Sequence, residues 1–307
     1  MMPYCAVVPF RRSAFSLPLA ATMLFWAFNF VAVKLAYREV SPAALGLVRT
    51  VATYLMMVVF TAACGEPLGY PRGSAARFLA MGFVASGLYM VAFLEGMGRT
   101  SPAEAAILLS TSSLFVMLLS AWLGYERLRR GTVLGALVAL GGVALVAAPE
   151  PGSAGSHLLG NGLILLGSAL WAVGVMLAKP LSEAHSPYRV LMLSLPGALV
   201  VIVPYGLGAT VHTEWAALHP ITLAMVAYVA VFAGGVAFSL FYLGVRQVGP
   251  TGAMLYQYAV PPAAALLAWA ILGDPVRPSQ VAGMVLTYAG LTWALRSRVA
   301  PRPTGEP

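Results

Sequence analysis

The chain has 307 residues, of which 60% are hydrophobic and only 9% are charged, and its formal net charge is +8. Because a soluble domain carries about 25% charged residues, this composition excludes an ordinary soluble protein and indicates a protein embedded in a lipid bilayer. The basic residues lie at the ends of apolar segments and form no continuous stripe, so the positive charge does not predict binding to nucleic acid.

Ten apolar runs follow one another along the chain, and each has roughly the 20 residues that a helix needs to cross a bilayer. The predicted runs are, in order, 16–36, 43–63, 76–97, 102–123, 131–148, 158–179, 188–209, 221–245, 250–272 and 278–297. The connections between them are short, so the sequence predicts an all-α integral membrane protein without a soluble domain. The remaining segment, 298–307, is polar and is predicted to be a disordered tail.

Lysine and arginine are distributed unequally between the two sides of these runs. If the N-terminus is cytoplasmic, most basic residues fall on the cytoplasmic side, and Arg49 lies inside a run. Cytoplasmic segments carry the excess of positive charge in membrane proteins, so both termini are predicted to be cytoplasmic in a multi-pass protein of the inner (plasma) membrane.

One pattern occurs twice in the chain. The segment WAFNFVAVK at 26–34 returns as WAVGVMLAK at 171–179, and several single residues match at an offset of 148. These matched pairs are Gly96 and Gly244, Pro102 and Pro250, Glu126 and Asp274, Gly135 and Gly283, and Gly142 and Gly290. Because five helices per half is an odd number, the second half enters the membrane from the opposite side, and the sequence predicts two inverted five-helix repeats. The predicted repeats span 16–148 and 158–297, with a linker at 149–157.

The same segments resemble the drug/metabolite transporter superfamily, in particular its ten-helix EamA-type members. The resemblance covers about residues 16–297. Its most specific segments are WAFNFVAVK, SPAALGLVRT at 41–50, GMGRTSPAEAA at 96–106, GVRQVGPTGAM at 244–254, and the turns LGYERL at 123–128 and LGDPV at 272–276. The family includes exporters of amino acids and other metabolites and also importers, so the resemblance implies transport without naming a substrate.

Two positions differ from the pattern of that family. The second turn has Asp274 followed by Pro275, where an acid followed by a basic residue is common. Midway along the fourth run Ser113 stands where a proline is expected, whereas Pro261 occupies the matching site in the ninth run. We therefore expect the fourth run to stay regular and only the ninth run to bend.

Polar and aromatic residues in the middle of the runs are candidates for a substrate site, because such sites lie near the bilayer midplane between repeats. The candidate substrate-binding residues are Trp26, Asn29, Arg49, Ser86, Tyr89, Ser110, Thr111, Ser113, Trp171, Tyr256, Gln257 and Tyr258. Aromatic rings would cover an apolar part of the solute, and hydroxyls and amides would orient its polar part. The alternative is structural, since membrane serines and threonines often bond carbonyls of their own helix and tryptophans pack. Tyr256 and Tyr258 point about 200° apart on a helix, so only one should share a cavity with Gln257.

Four of the ionisable residues within or at the ends of the runs are functional candidates. Arg49 would either bind a substrate carboxylate through its guanidinium fork or clamp two helices. Lys34, Glu95 and Lys179 are candidates for gating or coupling. The alternatives are lysines that extend to the membrane surface and an ion pair between Glu95 and Arg99, one helical turn away.

Several function classes lack their sequence signals. The four histidines fall at connections or helix ends, and no nucleophile–base spacing, metal-ligand set or phosphate-binding loop is present, so we predict neither an enzyme nor a cofactor or metal site. The spaced glycines of the fifth and tenth runs predict close helix packing, with a homodimer surface as one alternative.

The sequence therefore predicts a secondary transporter of a small organic metabolite that works by alternating access, with export of an amino acid or related metabolite as the first hypothesis. Import or export of a nucleoside, flavin or amphipathic drug, and a non-transporting scaffold or receptor, remain the alternatives.

Overall fold

A computed structural model describes residues 16–123, 130–147, 156–274 and 276–297, and the regular elements in these ranges are helices. Glu126, Pro275, most of the predicted linker and the predicted tail lie outside the described residues. The α-helices are α1 (Leu17–Ala36), α2 (Pro42–Ala63), α3 (Ala75–Gly82), α4 (Tyr89–Arg99), α5 (Pro102–Leu109), α6 (Ser112–Trp122), α7 (Arg130–Ala147), α8 (Ser156–Ala184), α9 (Pro187–Val211), α10 (Pro220–Tyr228), α11 (Ala237–Tyr256), α12 (Val260–Leu272) and α13 (Pro278–Arg296). Two π-helical segments, Phe83–Leu88 and Val229–Val236, join α3 to α4 and α10 to α11.

Seven helical stretches are long and apolar enough to cross a membrane. They are Leu17–Ala36, Pro42–Ala63, Ala75–Arg99, Pro102–Leu119, His157–Ala184, Pro187–Val211 and Pro220–Val245. Shorter apolar helices occupy Arg130–Gly142 and Val260–Leu272, where the fifth and ninth runs were predicted. The helical, multi-pass membrane character expected from the sequence is thus confirmed, while the full number of crossings stays a prediction.

The fourth run does not stay regular, so the prediction that only the ninth run would be interrupted is wrong. Helix α5 ends at Leu109 and α6 begins at Ser112. The hydroxyls of Ser110 and Thr111 donate to the carbonyl oxygens of Ile107 and Leu108, each at 2.6 Å. These side-chain bonds compete with the regular backbone pattern and explain the interruption without a proline.

The boundary between the eighth and ninth runs also differs from the prediction. Helix α11 continues through Gly249 and Pro250 to Tyr256, and a 3₁₀ segment, Gln257–Ala259, then leads into α12. Proline has a fixed φ near −65°, which a helical backbone accepts, so a glycine–proline pair does not by itself produce a loop. The irregular backbone lies instead beside Gln257, deeper in the predicted run.

The backbone irregularities occur at positions that the 148-residue offset relates. Adding 148 to residues 83–88 gives 231–236, which falls within the second π segment, and adding it to 110–111 gives 258–259, which falls within the 3₁₀ segment. Irregular backbone at membrane depth is tolerated where it is enclosed by protein or lines a cavity. Both halves therefore place their non-regular backbone at corresponding positions of the sequence repeat.

Helices α7 and α13 pack against each other through their glycines. A Cβ added to Gly142 would lie 2.6 Å from the carbonyl oxygen of Gly283, and one added to Gly290 would lie 2.6 Å from that of Gly135. Such close backbone approach is typical of small residues between membrane helices. The glycine faces cover each other within one chain, so a homodimer would have to use other surfaces.

We expect Gly142→Ala to destabilise the folded protein, because its methyl group would collide with the backbone of α13. Overpacking of this kind costs about 1–3 kcal/mol, which corresponds to a fall in Tm of roughly 3–10 °C. Gly141→Ala is the matched control, since its Cβ would meet only Leu286 at an ordinary 3.8 Å. Thermal unfolding of both variants in detergent tests this, and equal Tm values would contradict the glycine packing.

Candidate substrate cavity

A cavity lies at the centre of the helix bundle, between helices from both halves of the chain. Its volume is about 540 Å³ when all the space between its lining atoms is counted. The lining residues are Trp26, Asn29, Phe30, Arg49, Tyr89, Phe93, Ala106, Leu109, Ser110, Trp171, Phe238, Gln257 and Val260. A mostly apolar wall with few polar groups is typical of small-molecule sites.

Seven of the residues predicted from the sequence meet at this cavity. They are Trp26, Asn29, Arg49, Tyr89, Ser110, Trp171 and Gln257. They come from α1, α2, α4, the break after α5, α8 and the 3₁₀ segment, so the fold brings together residues that are up to 231 positions apart. Whether they bind a substrate stays a prediction.

The aromatic wall is built around the two tryptophans of the repeated segment. Trp26 and Trp171 meet edge to face, with ring centroids 5.8 Å apart and an interplanar angle of 86°. Phe238 lies 5.4 Å from the first and 5.6 Å from the second, and the indole nitrogen of Trp26 donates to the Ala233 carbonyl at 3.4 Å. These contacts fix the rings in position, so the wall is preformed.

Two buried polar atoms of cavity-lining residues have no hydrogen-bond partner among the residues that the structure describes. One is Nη1 of Arg49, whose side chain is only 4% exposed. The other is Oδ1 of Asn29. Within the described part of the chain no carboxylate forms an ion pair with Arg49. Because buried polar groups are nearly always paired, these two atoms are the positions where a ligand would gain most.

Gln257 links the two interrupted helices. Its Oε1 accepts a hydrogen bond from the Ser112 hydroxyl at 3.2 Å, which ties the start of α6 to the 3₁₀ segment. Ser112 was not among the candidates, although it lies between the candidates Thr111 and Ser113 in the sequence. The bond holds one wall of the cavity against the other half.

Other candidates lie elsewhere. The hydroxyls of Thr111 and Ser113 donate to the carbonyls of Leu108 and Ser110, which agrees with the structural alternative. The Tyr256 hydroxyl accepts from the Ser16 amide at 2.7 Å, at the beginning of α1 and away from the cavity lining. The side chain of Tyr258 lies outside the described part of the structure.

A second, smaller cavity of about 290 Å³ adjoins the first and shares Arg49 and Phe238 with it. Ser86, the remaining candidate, lines this second cavity rather than the central one. Its other lining residues are Thr50, Thr53, Met90, Leu191, Leu195 and Gly234. Arg49 therefore stands between two compartments.

The candidate gating residues occupy three different environments. Lys34 lines an open vestibule of about 1000 Å³, together with Arg99, Asp274 and other charged residues. Glu95 forms an ion pair with Arg99 and accepts a hydrogen bond from the Tyr205 hydroxyl at 2.5 Å, as the ion-pair alternative predicts. Lys179 lies near the end of α8, outside the lining of the central cavity.

A buried acid beside the vestibule was missing from the candidates. Glu104 is 2% exposed and forms an ion pair with Arg277. The Thr100 hydroxyl lies 2.5 Å from its Oε2, and Gln280 Nε2 donates to its Oε1 at 3.3 Å. No sequence spacing signals this network, because its partners come from opposite halves of the chain.

Contacts between connections are present at both ends of the bundle. At the Glu66 end, the carboxylate of Glu66 accepts from the hydroxyls of Ser186 at 2.8 Å and Tyr188 at 2.6 Å. At the Glu104 end, Glu39 accepts from the His219 amide at 3.0 Å. Hydrogen bonds from the Thr222 side chain and the His219 backbone hold the pKa of the Glu39 carboxyl below its usual value. The central cavity thus lies between two ends that are each held by contacts between the halves.

Together the fold and site define a class: a multi-pass helical membrane protein with a central cavity lined by aromatic and polar side chains. The sequence model of the EamA-like transporter family matches the chain twice, over residues 16–148 and 158–296. The chain belongs to this family and is an EamA-type transporter of the drug/metabolite transporter superfamily.

Curated relatives with similar sequences are named as transporters. The chain is 27% identical to a probable amino-acid metabolite efflux pump of Salmonella typhimurium, over 91% of this chain and 95% of the relative. It is 26% identical to a probable terminal-alkyne amino-acid exporter of Streptantibioticus cattleyicolor, over 89% and 90%, and 25% identical to an uncharacterized transporter of Archaeoglobus fulgidus, over 89% and 94%. A solved crystal structure with 20% identity covers 91% of this chain and 95% of its own, with a TM-score of 0.65, and supports the fold alone.

We expect Glu104→Gln to destabilise the protein, because it leaves the Arg277 guanidinium without its carboxylate. Removing one member of a largely buried pair costs about 2–4 kcal/mol, or roughly 5–10 °C in Tm. The double variant Glu104→Gln/Arg277→Gln should lose less than the sum of the two single losses. The exposed Glu183→Gln is the control, and strictly additive losses in thermal unfolding would show that the pair is not coupled.

Proposed function

We propose that the protein is a secondary transporter that exports an amino acid or a related carboxylated metabolite across the plasma membrane by alternating access. The observation that carries this proposal is the pair of unpartnered buried atoms, Arg49 Nη1 and Asn29 Oδ1, at one aromatic cavity. One atom is a cationic donor and the other is a neutral acceptor. A zwitterionic solute offers the complementary groups.

The chemistry of such a solute fits the cavity group by group. Its carboxylate would accept from the Arg49 guanidinium, which presents planar donors suited to two oxygens. Its ammonium would donate to Asn29 Oδ1, and an apolar or aromatic side chain would lie against Trp26 and Trp171. A buried arginine inside a membrane helix is costly, and such residues commonly serve a substrate path.

The architecture supports alternating access. We propose ten crossings arranged as two inverted five-helix repeats, and the double family match and the related backbone irregularities support this arrangement. The central cavity lies between the Glu66 end and the Glu104 end, and breaking the contacts of one end at a time would expose it to one side. No phosphate-binding loop occurs in the sequence, so a solute or ion gradient would supply the energy.

Counterflow in proteoliposomes tests this proposal directly. Vesicles that contain unlabelled phenylalanine should take up labelled phenylalanine without an imposed gradient, and phenylalanine amide, which lacks the carboxylate, should not exchange. Arg49→Ala should lower the rate by roughly 100-fold, since a bond to a charged group contributes about 3 kcal/mol at most, and Arg49→Lys should restore only part of it.

A second substrate distinguishes the contribution of Asn29 to binding from that of Arg49. Asn29→Ala should weaken exchange of phenylalanine but leave that of 3-phenylpropionate, which has no ammonium group, nearly unchanged. The exposed Arg77→Ala is the control for both. Exchange restricted to nucleosides, flavins or drugs would refute the amino-acid assignment, and absence of exchange for every solute in folded protein would favour a scaffold or receptor.

The proposed orientation, with both termini in the cytoplasm, has its own test. A green fluorescent protein fused after residue 307 should fluoresce, whereas alkaline phosphatase fused there should be inactive, because each reporter folds on only one side of the membrane. Fusions after Thr213, in the connection between α9 and α10, should give the opposite result. The same reporter active at both positions would contradict this topology.

A further inference from the structure

The second cavity is a compartment of its own, separated from the central one by Arg49 and Phe238. Its lining is mainly apolar. Two of its three hydroxyls already donate hydrogen bonds to backbone carbonyls, Thr50 to Gly46 and Thr53 to Ala230, each at 2.8 Å. The third hydroxyl, that of Ser86, makes no hydrogen bond with the described residues. The compartment thus has one guanidinium and one hydroxyl available as donors.

A buried guanidinium needs a negative charge near it. Arg49 is 4% exposed, and within the described ranges its Nη1 has no hydrogen-bond partner and the ion pairs involve other residues. An isolated charge away from water is strongly disfavoured, so an unliganded state with nothing opposite Arg49 would be costly. Arginine does not relieve this cost by losing its proton, because a guanidinium stays protonated at physiological pH.

Irregular backbone from both halves of the chain borders this compartment. Ser86 lies in the first π segment and Gly234 lies in the second, so both irregular segments border the same cavity. A Cβ on Gly234 would lie 3.6 Å from Arg49 Nε and would collide with the Thr53 hydroxyl. π segments are rare and occur frequently at functional sites.

We propose that the second cavity binds one small inorganic anion, such as chloride, between the Arg49 guanidinium and the Ser86 hydroxyl. The anion neutralises Arg49 when the central cavity is empty. A substrate carboxylate that reaches Arg49 from the central cavity competes with it, so the two exchange. The site itself is independent of the proposed function, and only this competition depends on it.

Binding of radiolabelled chloride to purified, substrate-free protein in detergent tests the site. Wild-type protein should bind one chloride per chain in a saturable manner, and Arg49→Met should bind none. Ser86→Ala should bind more weakly by roughly 3–10-fold, as expected for the loss of one hydrogen bond. The exposed Arg77→Met controls for non-specific attraction to arginine and should bind like the wild type.

Each result bears on the proposal. Saturable binding that is lost in Arg49→Met and weakened in Ser86→Ala supports it, and Ser86→Ala retains this test if Arg49→Met does not fold. No saturable binding by the wild type, or wild-type affinity in both variants, overturns it. Displacement of chloride by acetate alongside unlabelled chloride supports a shared anion site, whereas binding of labelled acetate without any chloride binding overturns the inorganic-anion assignment.

Competition is measured with the substrate found by counterflow. Loss of bound chloride as that substrate is added supports exchange at Arg49, and unchanged chloride binding at saturating substrate overturns it. Chloride binding by a protein that exchanges no amino acid would refute the proposed function and leave the anion site intact, so the two failures are distinguishable.

Discussion

The structure depends on one electrostatic constraint: the guanidinium of Arg49 is buried at membrane depth without a carboxylate among the described residues. In an interior of low dielectric, such a charge is stable only if dipoles or an anion surround it. The aromatic wall, the orphaned Asn29 oxygen and the two π segments are all arranged around this position. The cavity therefore provides the space in which dipoles or an anion can stabilise the buried charge of Arg49.

The two halves contribute unequally to this arrangement. Trp26 and Trp171 are equivalent in the repeat and meet edge to face at the centre, which gives the cavity an approximately symmetric aromatic frame. Arg49 has no charged equivalent, because the matching position is Ser194, whose hydroxyl bonds its own helix at the Leu191 carbonyl. A symmetric frame with an asymmetric charge can enclose a solute and also orient it.

Much of the central cavity could be predicted from the sequence. The sequence shows which residues lie midway along a predicted run and which segments are repeated. Trp26, Asn29 and Arg49 were found in this way. The direction in which a side chain points could not be predicted from the sequence. Thr111 and Ser113 lie midway along the predicted run, but their hydroxyls donate to carbonyls of the same run. The pairing of Glu104 with Arg277 could not be predicted, since it depends on how the start of α13 meets the start of α5. The break after Leu109 was missed because it comes from side-chain hydrogen bonds and not from a proline.

The Glu104 end and the Glu66 end are held by different chemistry. Glu104 pairs with a guanidinium, whereas Glu66 accepts from two neutral hydroxyls, and the repeat equivalent of Glu104 is Gly252. Opening the Glu104 end would separate opposite charges, whereas opening the Glu66 end would break hydrogen bonds to the Glu66 carboxylate and from Arg189 to the Gly69 carbonyl, which water can replace. Under the proposed alternating-access mechanism the two open states would therefore differ in free energy, and the less populated one would bind its solute with an apparent affinity reduced in proportion to its population. Such a transporter would act as a rectifier, with unequal half-saturation on its two sides even when the solute makes the same contacts in both.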